Sequence, residues 1–347
     1  MGTALFLGHA NTEMRGGPAI FKSVYEAWPG KKCMVFESHY INMIKKLIPY
    51  LFNGEINLII MENEYFTDIF IALFIKIFRR KMRFYGPAYH IPPSSKSPKE
   101  FIQYLPHYLD YKLGIWFMSF IYTKIYTENL YMKNYFKSLN SKVDVIVESP
   151  GIKCKFIKPI SYIHSITKDI DFLFLTSFTA NKGLYDYLHL VAALSKKFEY
   201  ARFAMGGFAN ESTISEINDF ITSNNIKNLE IKTNLSEDDK YQLFARAKIY
   251  VLPSQEDGIP ITFYEAWGYG DVEVAYLLDT YSDIQDYILS VELGNFNQLL
   301  EKCTFALLNY EGLKKKFADK CYYYARDHSY ENGIKNLVEN IAGINTK

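Results

Sequence analysis

Short apolar runs alternate with segments of helical period over most of the chain. Apolar runs of four to six residues bounded by turn residues are typical of buried strands, and apolar residues recurring every three to four positions indicate helices. Alternation of the two predicts βαβ units around a mainly parallel sheet. The first half predicts strands at 4–7, 33–36, 57–61, 83–85 and 143–147, with helices at 18–28, 40–51, 65–79 and 113–137.

The series breaks at residues 148–160, where Pro150, Gly151 and Pro159 interrupt any regular element. A second series then begins. Its predicted strands are 172–175, 202–205, 229–231, 249–252 and 273–276, and its predicted helices are 183–197, 213–223, 237–247, 261–268, 282–290 and the segment 295–345. We therefore predict an α/β protein with three parts, which are an N-terminal domain over 1–150, a second domain over 151–328, and a final helix over 329–347 that crosses back to the first domain.

The composition of the chain argues against several classes of protein. Of the 347 residues, 49 % are hydrophobic and 22 % charged, which is enough to build a core and argues against disorder. The net charge of +1 gives no global field for nucleic acid. Four widely spaced cysteines predict neither a disulfide framework nor a metal site, and no apolar run reaches the roughly 20 residues of a transmembrane helix. A cytoplasmic protein is expected.

A glycine pair lies between the first predicted strand and the helix after it, within Arg15-Gly16-Gly17-Pro18. Glycines at a helix N-terminus let backbone N–H groups approach an anion, and the helix dipole favours a diphosphate there. A tight turn that only starts the helix is an equally good interpretation.

A second candidate site lies in residues 249–276, where a predicted strand leads into a loop and then a helix. Seven residues separate Asp257 in the loop from Glu265 in the helix, so both carboxylates can face one ligand. Carboxylates accept hydrogen bonds from sugar hydroxyls, and N–H groups of a loop entering a helix suit a phosphate. A capped helix start with acidic residues placed for the dipole is the alternative.

This segment resembles the donor-site signature of the retaining GT-B glycosyltransferases of family four, written Pro-Ser-x-x-Glu-Gly-Phe-Gly with a second Glu further on. The matching residues are Pro253, Ser254, Gly258, Glu265, Ala266 and Gly270. Asp257 stands at the position of the first Glu, and Pro260 replaces the second loop glycine.

Further parts of the chain resemble the same family in the same order. Gly16 and Gly17 resemble its N-domain glycine loop, and residues 147–159 resemble its interdomain linker. Lys182-Gly183 matches the Lys-Gly of its diphosphate loop, although Ser177 occupies the position of an Arg. The stretch FAMGG, which ends at Gly207, resembles the strand that follows. The resemblance covers nearly the whole chain and implies two Rossmann-like domains facing each other across a cleft.

The resemblance also implies roles for individual residues. Lys182 would bind the donor diphosphate, Asp257 would face the donor sugar or its phosphate, Glu265 would bind the ribose hydroxyls, and His90 would position the sugar or move a proton. Backbone groups would complete the donor site. Those expected there are Gly16, Gly17, Gly207, Gly258 and Ile259.

The implied reaction moves a sugar, with retention, from a nucleoside diphosphate sugar to a hydroxyl of a glycan, glycolipid or lipid-linked saccharide. It needs neither a metal nor a resident cofactor, and family frequency favours a uridine diphosphate sugar. A sugar nucleotide epimerase or a phosphorylase of the same fold is an alternative. Because Ser177 and Asp257 depart from the pattern, a nucleotide-sugar-binding relic with weak activity is another.

Residues 98–136 are crowded with aromatic side chains, including Trp116, Phe117 and Phe120. Beside the basic residues of 45–46 and 79–83, they predict a peripheral surface for an anionic membrane. Stacking of the aromatic faces on sugar rings and an aromatic core are the alternatives.

Overall fold

The computed structural model describes residues 3–8, 17–37, 39–89 and 98–343. It divides the chain into two compact units, one formed by residues 1–150 together with 331–347 and the other by residues 151–330.

The first unit contains a six-stranded sheet in the order β2-β1-β3-β4-β5-β6, in which all the paired strands are parallel. Its strands are β1 (Thr3–Gly8), β2 (Lys32–Phe36), β3 (Ile56–Met61), β4 (Arg83–Pro87), β5 (Lys124–Thr127) and β6 (Asp144–Val147). Its connecting helices are α1 (Gly17–Ala27), α2 (Tyr40–Leu51), α3 (Phe66–Phe78), α4 (Pro98–Ile121) and α5 (Leu130–Leu139). Since parallel crossovers are right-handed, the four connections from β2 to β6 place α2 to α5 on one face of the sheet.

The second unit contains another parallel six-stranded sheet. Its strands are β7 (Ile170–Leu175), β8 (Phe203–Gly207), β9 (Leu229–Thr233), β10 (Ala247–Leu252), β11 (Val272–Tyr276) and β12 (Leu289–Val291). Its helices are α6 (Ile160–Ser165), α7 (Leu184–Lys197), α8 (Glu211–Ser223), α9 (Glu237–Arg246), α10 (Ile261–Trp267), α11 (Phe296–Leu308) and α12 (Tyr310–Asp327). The last helix, α13 (Tyr330–Ala342), has most of its length in the first unit, where Lys124 Nζ donates to the carbonyl of Asn340 at 3.0 Å.

Two of the predicted helices are wrong. The segment 113–137 is divided by β5, a short strand whose residues Ile125, Tyr126 and Thr127 are buried, so α4 ends before it and α5 begins after it. The segment 282–290 holds a single-turn 3-10 helix and then β12 rather than an α-helix. Each of the two strands has four residues or fewer, and such a short strand has no period that the sequence can reveal.

Two tyrosines in the core of the second unit place their hydroxyls against backbone carbonyls. The Tyr187 hydroxyl lies 2.9 Å from the carbonyl oxygens of Phe172 and Ala204, and Tyr250 donates to the carbonyl of Leu175 at 2.9 Å. A buried hydroxyl without a partner would cost roughly 1–3 kcal/mol. These bonds tie α7 and β10 to the central strands and allow a tyrosine-rich sequence to build a packed core.

The order of the second sheet, β12-β11-β10-β7-β8-β9, reverses direction between β7 and β10. The chain builds outward from β7 through β8 and β9, then returns to the other side of β7 and builds outward again. Open α/β sheets bind ligands beyond the carboxyl ends of their strands at this point of reversal. The loops after β7 and β10 are therefore where a ligand site is expected in this unit.

The interior of the second unit also holds a carboxyl group that we expect to be neutral. Glu273 on β11 is 1 % exposed, and neither of its carboxyl oxygens has a hydrogen-bond partner among the described residues. Burial, together with the neighbouring Asp271, raises the pKa of Glu273 well above its ordinary value of 4.5. An uncharged acid avoids the large cost of an ionised group at such a site.

Glu273→Gln should therefore stabilise the fold increasingly as the pH rises. Above about pH 4.5 the unfolded chain ionises Glu273 while the folded chain keeps it protonated, so the wild type loses up to about 1.4 kcal/mol for each pH unit until the folded pKa is reached. The glutamine has no proton to lose. Urea unfolding between about pH 5 and pH 8 would measure the difference, with exposed Glu301→Gln as the control. A difference between Glu273→Gln and wild type that does not change with pH would contradict the assignment.

Candidate active site

Lys182 lies in the turn that connects β7 to α7. The chain forms a single 3-10 turn over Ala180–Lys182, and Gly183 then takes a left-handed conformation with φ of 81° before α7 begins. A Cβ atom on Gly183 would lie 2.1 Å from the carbonyl oxygen of Pro253. The glycine therefore allows the turn after β7 to pack directly against the end of β10.

The loop after β10 is tied to the same turn by hydrogen bonds. The Gln255 N–H donates to the carbonyl of Asn181 at 2.8 Å, and the hydroxyl of the fully buried Ser254 donates to that carbonyl at 3.2 Å. On the other side of the loop, Thr280 Oγ1 donates to the carbonyl of Asp257 at 2.9 Å. These contacts hold the Pro-Ser part of the motif in place, and that part supports the loop after β10.

Lys182 and Asp257 meet where the two loops converge. Lys182 Nζ lies 2.5 Å from Asp257 Oδ2, and the side chains are 28 % and 15 % exposed. Ser254 Oγ lies 3.3 Å from the same carboxyl oxygen. The arrangement holds one ammonium group at the strand reversal, partly open to solvent, where it can attract an anion.

Glu265 is held by two donors from α9. It lies on α10 and is 3 % exposed, and its Oε1 accepts from Lys240 Nζ at 2.5 Å and from the Tyr241 hydroxyl at 2.7 Å. Burial and the nearby Glu265 carboxylate raise the pKa of Tyr241, so this hydroxyl remains a donor. The two donors satisfy one oxygen of the buried carboxylate and fix its orientation.

Gly207 ends β8 beside the turn that follows β7. A Cβ atom there would lie 1.8 Å from the carbonyl oxygen of Thr176, so the position admits only glycine without a backbone shift. Gly258 and Ile259, which follow Asp257, are both buried. The structure thus brings Lys182, Asp257 and the loop after Asp257 together.

The remaining predicted site residues are Gly16, Gly17 and His90. Gly17 is the first residue of α1 in the first unit. Gly16 and His90 lie outside the described residues. Ser177, at the position where the family pattern has an Arg, is half-buried in the turn after β7.

Sequence reasoning missed Lys240 and Tyr241, the two partners of Glu265. They belong to the first turns of α9, which Ser236 caps by accepting from the Asp239 N–H at 3.1 Å. The sequence shows this capping pattern, but the pattern predicts only where a helix starts. The contact depends on how α9 packs beside α10, which no spacing in the sequence encodes.

One family model matches most of the second unit. The family model described as glycosyl transferases group 1 matches residues 160–327, which contain Lys182, Asp257 and Glu265. A comparison of the sequence with curated proteins found no significant match.

Several solved structures are similar to the whole chain or most of it. Anabaena HepE, solved in complex with UDP-glucose, has a TM-score of 0.77 at 12 % identity, covering 99 % of this chain and 100 % of that one. Sucrose-phosphate synthase from Thermosynechococcus elongatus has a TM-score of 0.74 at 10 % identity, covering 99 % of each chain. A mutant form of S. aureus TarM, solved with UDP, has a TM-score of 0.60 at 15 % identity, covering 82 % of this chain and 55 % of that one. At these identities the likeness shows the fold alone.

The close approach of Gly183 to Pro253 can be tested by substitution. Gly183→Ala adds left-handed strain and a clash with a carbonyl oxygen, so we expect it to lower the free energy of unfolding by more than about 2 kcal/mol. Gly294→Ala is the matched control, because Gly294 has a φ of 75° and nothing lies within 4 Å of its added Cβ. It should cost only the strain, about 1 kcal/mol. Equal losses in urea unfolding would show that the contact with Pro253 does not matter.

Proposed function

We propose that this chain, a GT-B glycosyltransferase that carries the domain of glycosyl transferases group 1 in residues 160–327, acts with retention. In this proposal it moves a sugar from a nucleoside diphosphate sugar to a hydroxyl group of a glycan, glycolipid or lipid-linked saccharide. The observation that carries the proposal is the Lys182–Asp257 pair at the reversal of the second sheet.

The donor diphosphate is the ligand best suited to this pair. As the bond to the sugar breaks, negative charge grows on the departing nucleoside diphosphate, and a fixed cation that stabilises it lowers the barrier. Lys182 supplies that cation from a turn that Gly183 holds against β10. Backbone N–H groups of Gly258 and Ile259 are proposed to add dipoles, since Ser177 leaves the site without the guanidinium of the family pattern.

Asp257 is proposed to change partner when the donor binds. Its carboxylate lies 2.5 Å from Lys182 Nζ and neutralises it, which keeps the ammonium group in place. A carboxylate and a diphosphate repel each other, so Lys182 cannot serve both equally well. We propose that Lys182 turns to the diphosphate while Asp257 accepts a hydrogen bond from a hydroxyl of the donor sugar.

Glu265 is proposed to bind the ribose. Its carboxylate is buried and already oriented by Lys240 and Tyr241, so a ribose diol can donate to it without a search for the right rotamer. Neutralisation by Lys240 also reduces the repulsion between Glu265 and the donor diphosphate. Lys240 and Tyr241 are in this respect positioning residues.

The remaining predicted site residues have supporting roles in the proposal. Gly207 keeps the end of β8 free of a side chain that would displace the turn after β7. Gly16 and Gly17 are proposed to offer N–H groups to the donor, and His90 to position the sugar or accept the acceptor proton. UDP sugars are the proposed donors, supported by the UDP-glucose bound to the similar fold of HepE. The reaction is proposed to take place in the cytoplasm.

One alternative is favoured by a specific observation. Ser177 and Asp257 both differ from the family pattern, since serine lacks the guanidinium of Arg and the side chain of Asp is one methylene shorter than that of Glu. A protein that binds a nucleotide sugar but transfers it weakly would fit these differences. An epimerase or a phosphorylase of the same fold would instead release an altered sugar nucleotide or require inorganic phosphate.

A thermal-shift panel tests the donor site. Uridine, guanosine, adenosine and thymidine diphosphates and their sugars are added to wild type, Lys182→Met, Glu265→Gln and the control Lys196→Met, whose lysine is exposed on α7. A donor present at 100 times its dissociation constant should stabilise the wild type by about 2.7 kcal/mol. We expect one nucleotide family to shift the wild type and the control, and the two site variants to lose most of the shift.

The outcome decides between the alternatives. A donor that shifts the protein but gives no product with any hydroxyl acceptor would favour the binding relic. A shift that survives both Lys182→Met and Glu265→Gln would contradict the assignment of the site. With a working donor, proton NMR of the product gives its anomeric configuration, and inversion would contradict the retaining mechanism.

A further inference from the structure

Exposed apolar side chains are concentrated on three helices of the first unit. Half of the large hydrophobic residues that are exposed in the described part of the chain belong to α2 and its C-cap, α3 and α4. They are Ile41, Ile48, Phe52, Phe70, Ile77, Phe78, Leu109, Leu113, Trp116 and Phe120. We name this set the outer apolar surface. Scattered exposed hydrophobics are ordinary in soluble proteins, whereas a concentrated patch marks an interaction surface.

Helix α4 shows most clearly that the patch is organised. Leu109, Leu113, Trp116 and Phe120 follow one another at intervals of four, three and four residues and are 44–56 % exposed. This spacing places them on a single stripe of the helix. The residues two positions further along form a second stripe that packs inward and is at most 5 % exposed, namely Tyr111, Ile115, Met118 and Tyr122. An exposed apolar stripe on a helix that already packs inward on its other side marks an interaction surface.

Helices α2 and α3 repeat the pattern. Phe70 and Ile77 on α3 are seven residues apart, as are Ile41 and Ile48 on α2, and all four are exposed. The three helices lie side by side because their crossovers share one face of the sheet. Phe66 at the start of α3 contacts Phe117 of α4, with ring centroids 5.2 Å apart. The stripes therefore belong to one layer.

The exposed charges on the described parts of these three helices are positive. Residues 40–52, 66–83 and 105–121 contain only two acidic side chains, of which Asp68 is buried and Asp110 half-buried. The basic side chains exposed on or beside these helices are Lys45, Lys46, Arg80, Lys81 and Arg83. Lys46 is partly neutralised by Glu37 at 3.0 Å. The surface combines apolar rings with excess positive charge, which complements a layer of anionic lipid headgroups.

Arg79 is the exception among these basic residues. It donates to the carbonyls of Asn53 at 2.9 Å and Ile56 at 2.7 Å, so it fastens the end of α3 to the start of β3. Because these carbonyls occupy its guanidinium group, Arg79 is not counted among the residues available to a ligand. Arg80 and Lys81, which follow it, are exposed.

We propose that the outer apolar surface docks on an anionic lipid bilayer, with Trp116 and Phe120 entering the interface and Arg80 and Lys81 contacting headgroups. The attachment is peripheral, because no helix in the described part of the chain has the length and hydropathy to cross a membrane. A second copy of the chain fits less well, since a symmetric contact would bring the basic residues of both copies together. The proposal does not depend on sugar transfer, and it supplies a place for a lipid-carried acceptor.

Co-sedimentation with vesicles tests the proposal. Full-length protein without donor is mixed with vesicles of phosphatidylglycerol and phosphatidylcholine, or of phosphatidylcholine alone. We expect binding to the anionic vesicles to be more than about tenfold stronger and to weaken with salt, since each basic residue at the surface contributes about fivefold. Arg80→Gln with Lys81→Gln should reduce it by more than about tenfold. Trp116→Ser with Phe120→Ser should do the same by removing buried apolar area.

The controls separate lipid binding from loss of fold and from other partners. Phe305→Ser with Leu308→Ser removes two exposed apolar side chains from α11 of the second unit, which are 48 % and 63 % exposed, and should leave vesicle binding unchanged. All variants should keep the thermal shift with donor, which makes failure here distinct from failure of the transfer function. Equal binding to both vesicles, or none, would overturn the proposal. Light scattering that shows a dimer dissociated by Trp116→Ser with Phe120→Ser would assign the surface to a second copy.

Discussion

The close packing of two strand ends in the second unit determines the geometry of the proposed donor site. Gly183, in the turn after β7, approaches Pro253 at the end of β10 so closely that no side chain fits between them. Lys182 precedes that glycine and Asp257 follows that proline, so the contact brings their charges to 2.5 Å. The strand order reverses between β7 and β10, which places the loops after these strands side by side. The left-handed glycine then lets the two loops pack closely enough for the ion pair to form.

The chemistry of the site depends on polar groups that the fold keeps in fixed orientations. Ser254 is fully buried, and its hydroxyl lies near the carbonyl of Asn181 and the carboxylate of Asp257. Glu265 is buried with Lys240 and Tyr241 as donors. Removal of one partner from such a pair costs more than the pair contributes, because the other charge is left buried and unpaired. The same constraint explains why Glu273, which has no partner among the described residues, is expected to be neutral.

Long elements and the order of the motifs could be predicted from the sequence, while short elements and lateral contacts could not. Helix α2 is predicted at 40–51 and spans Tyr40–Leu51. The prediction succeeds because a segment of twelve residues is long enough to show the apolar period of a helix. Strand β5 lies within a segment predicted as one helix, because four residues are too few to show the period of a strand. The motif order predicted that Lys182, Asp257 and Glu265 belong to one donor site, and the structure brings the first two into contact. The sequence did not indicate Lys240 and Tyr241 as partners of Glu265, because this contact depends on the packing of neighbouring helices.

A double-mutant cycle on nucleoside diphosphate binding tests the central claim most directly. Calorimetry would measure the affinity of wild type, Lys182→Met, Asp257→Asn and the double variant. If Lys182 exchanges Asp257 for the diphosphate, Asp257→Asn frees the ammonium group and should tighten binding by about tenfold, whereas the same substitution beside Lys182→Met should have little effect, a coupling above about 1 kcal/mol. Additive effects, or tightening that persists without Lys182, would contradict the account.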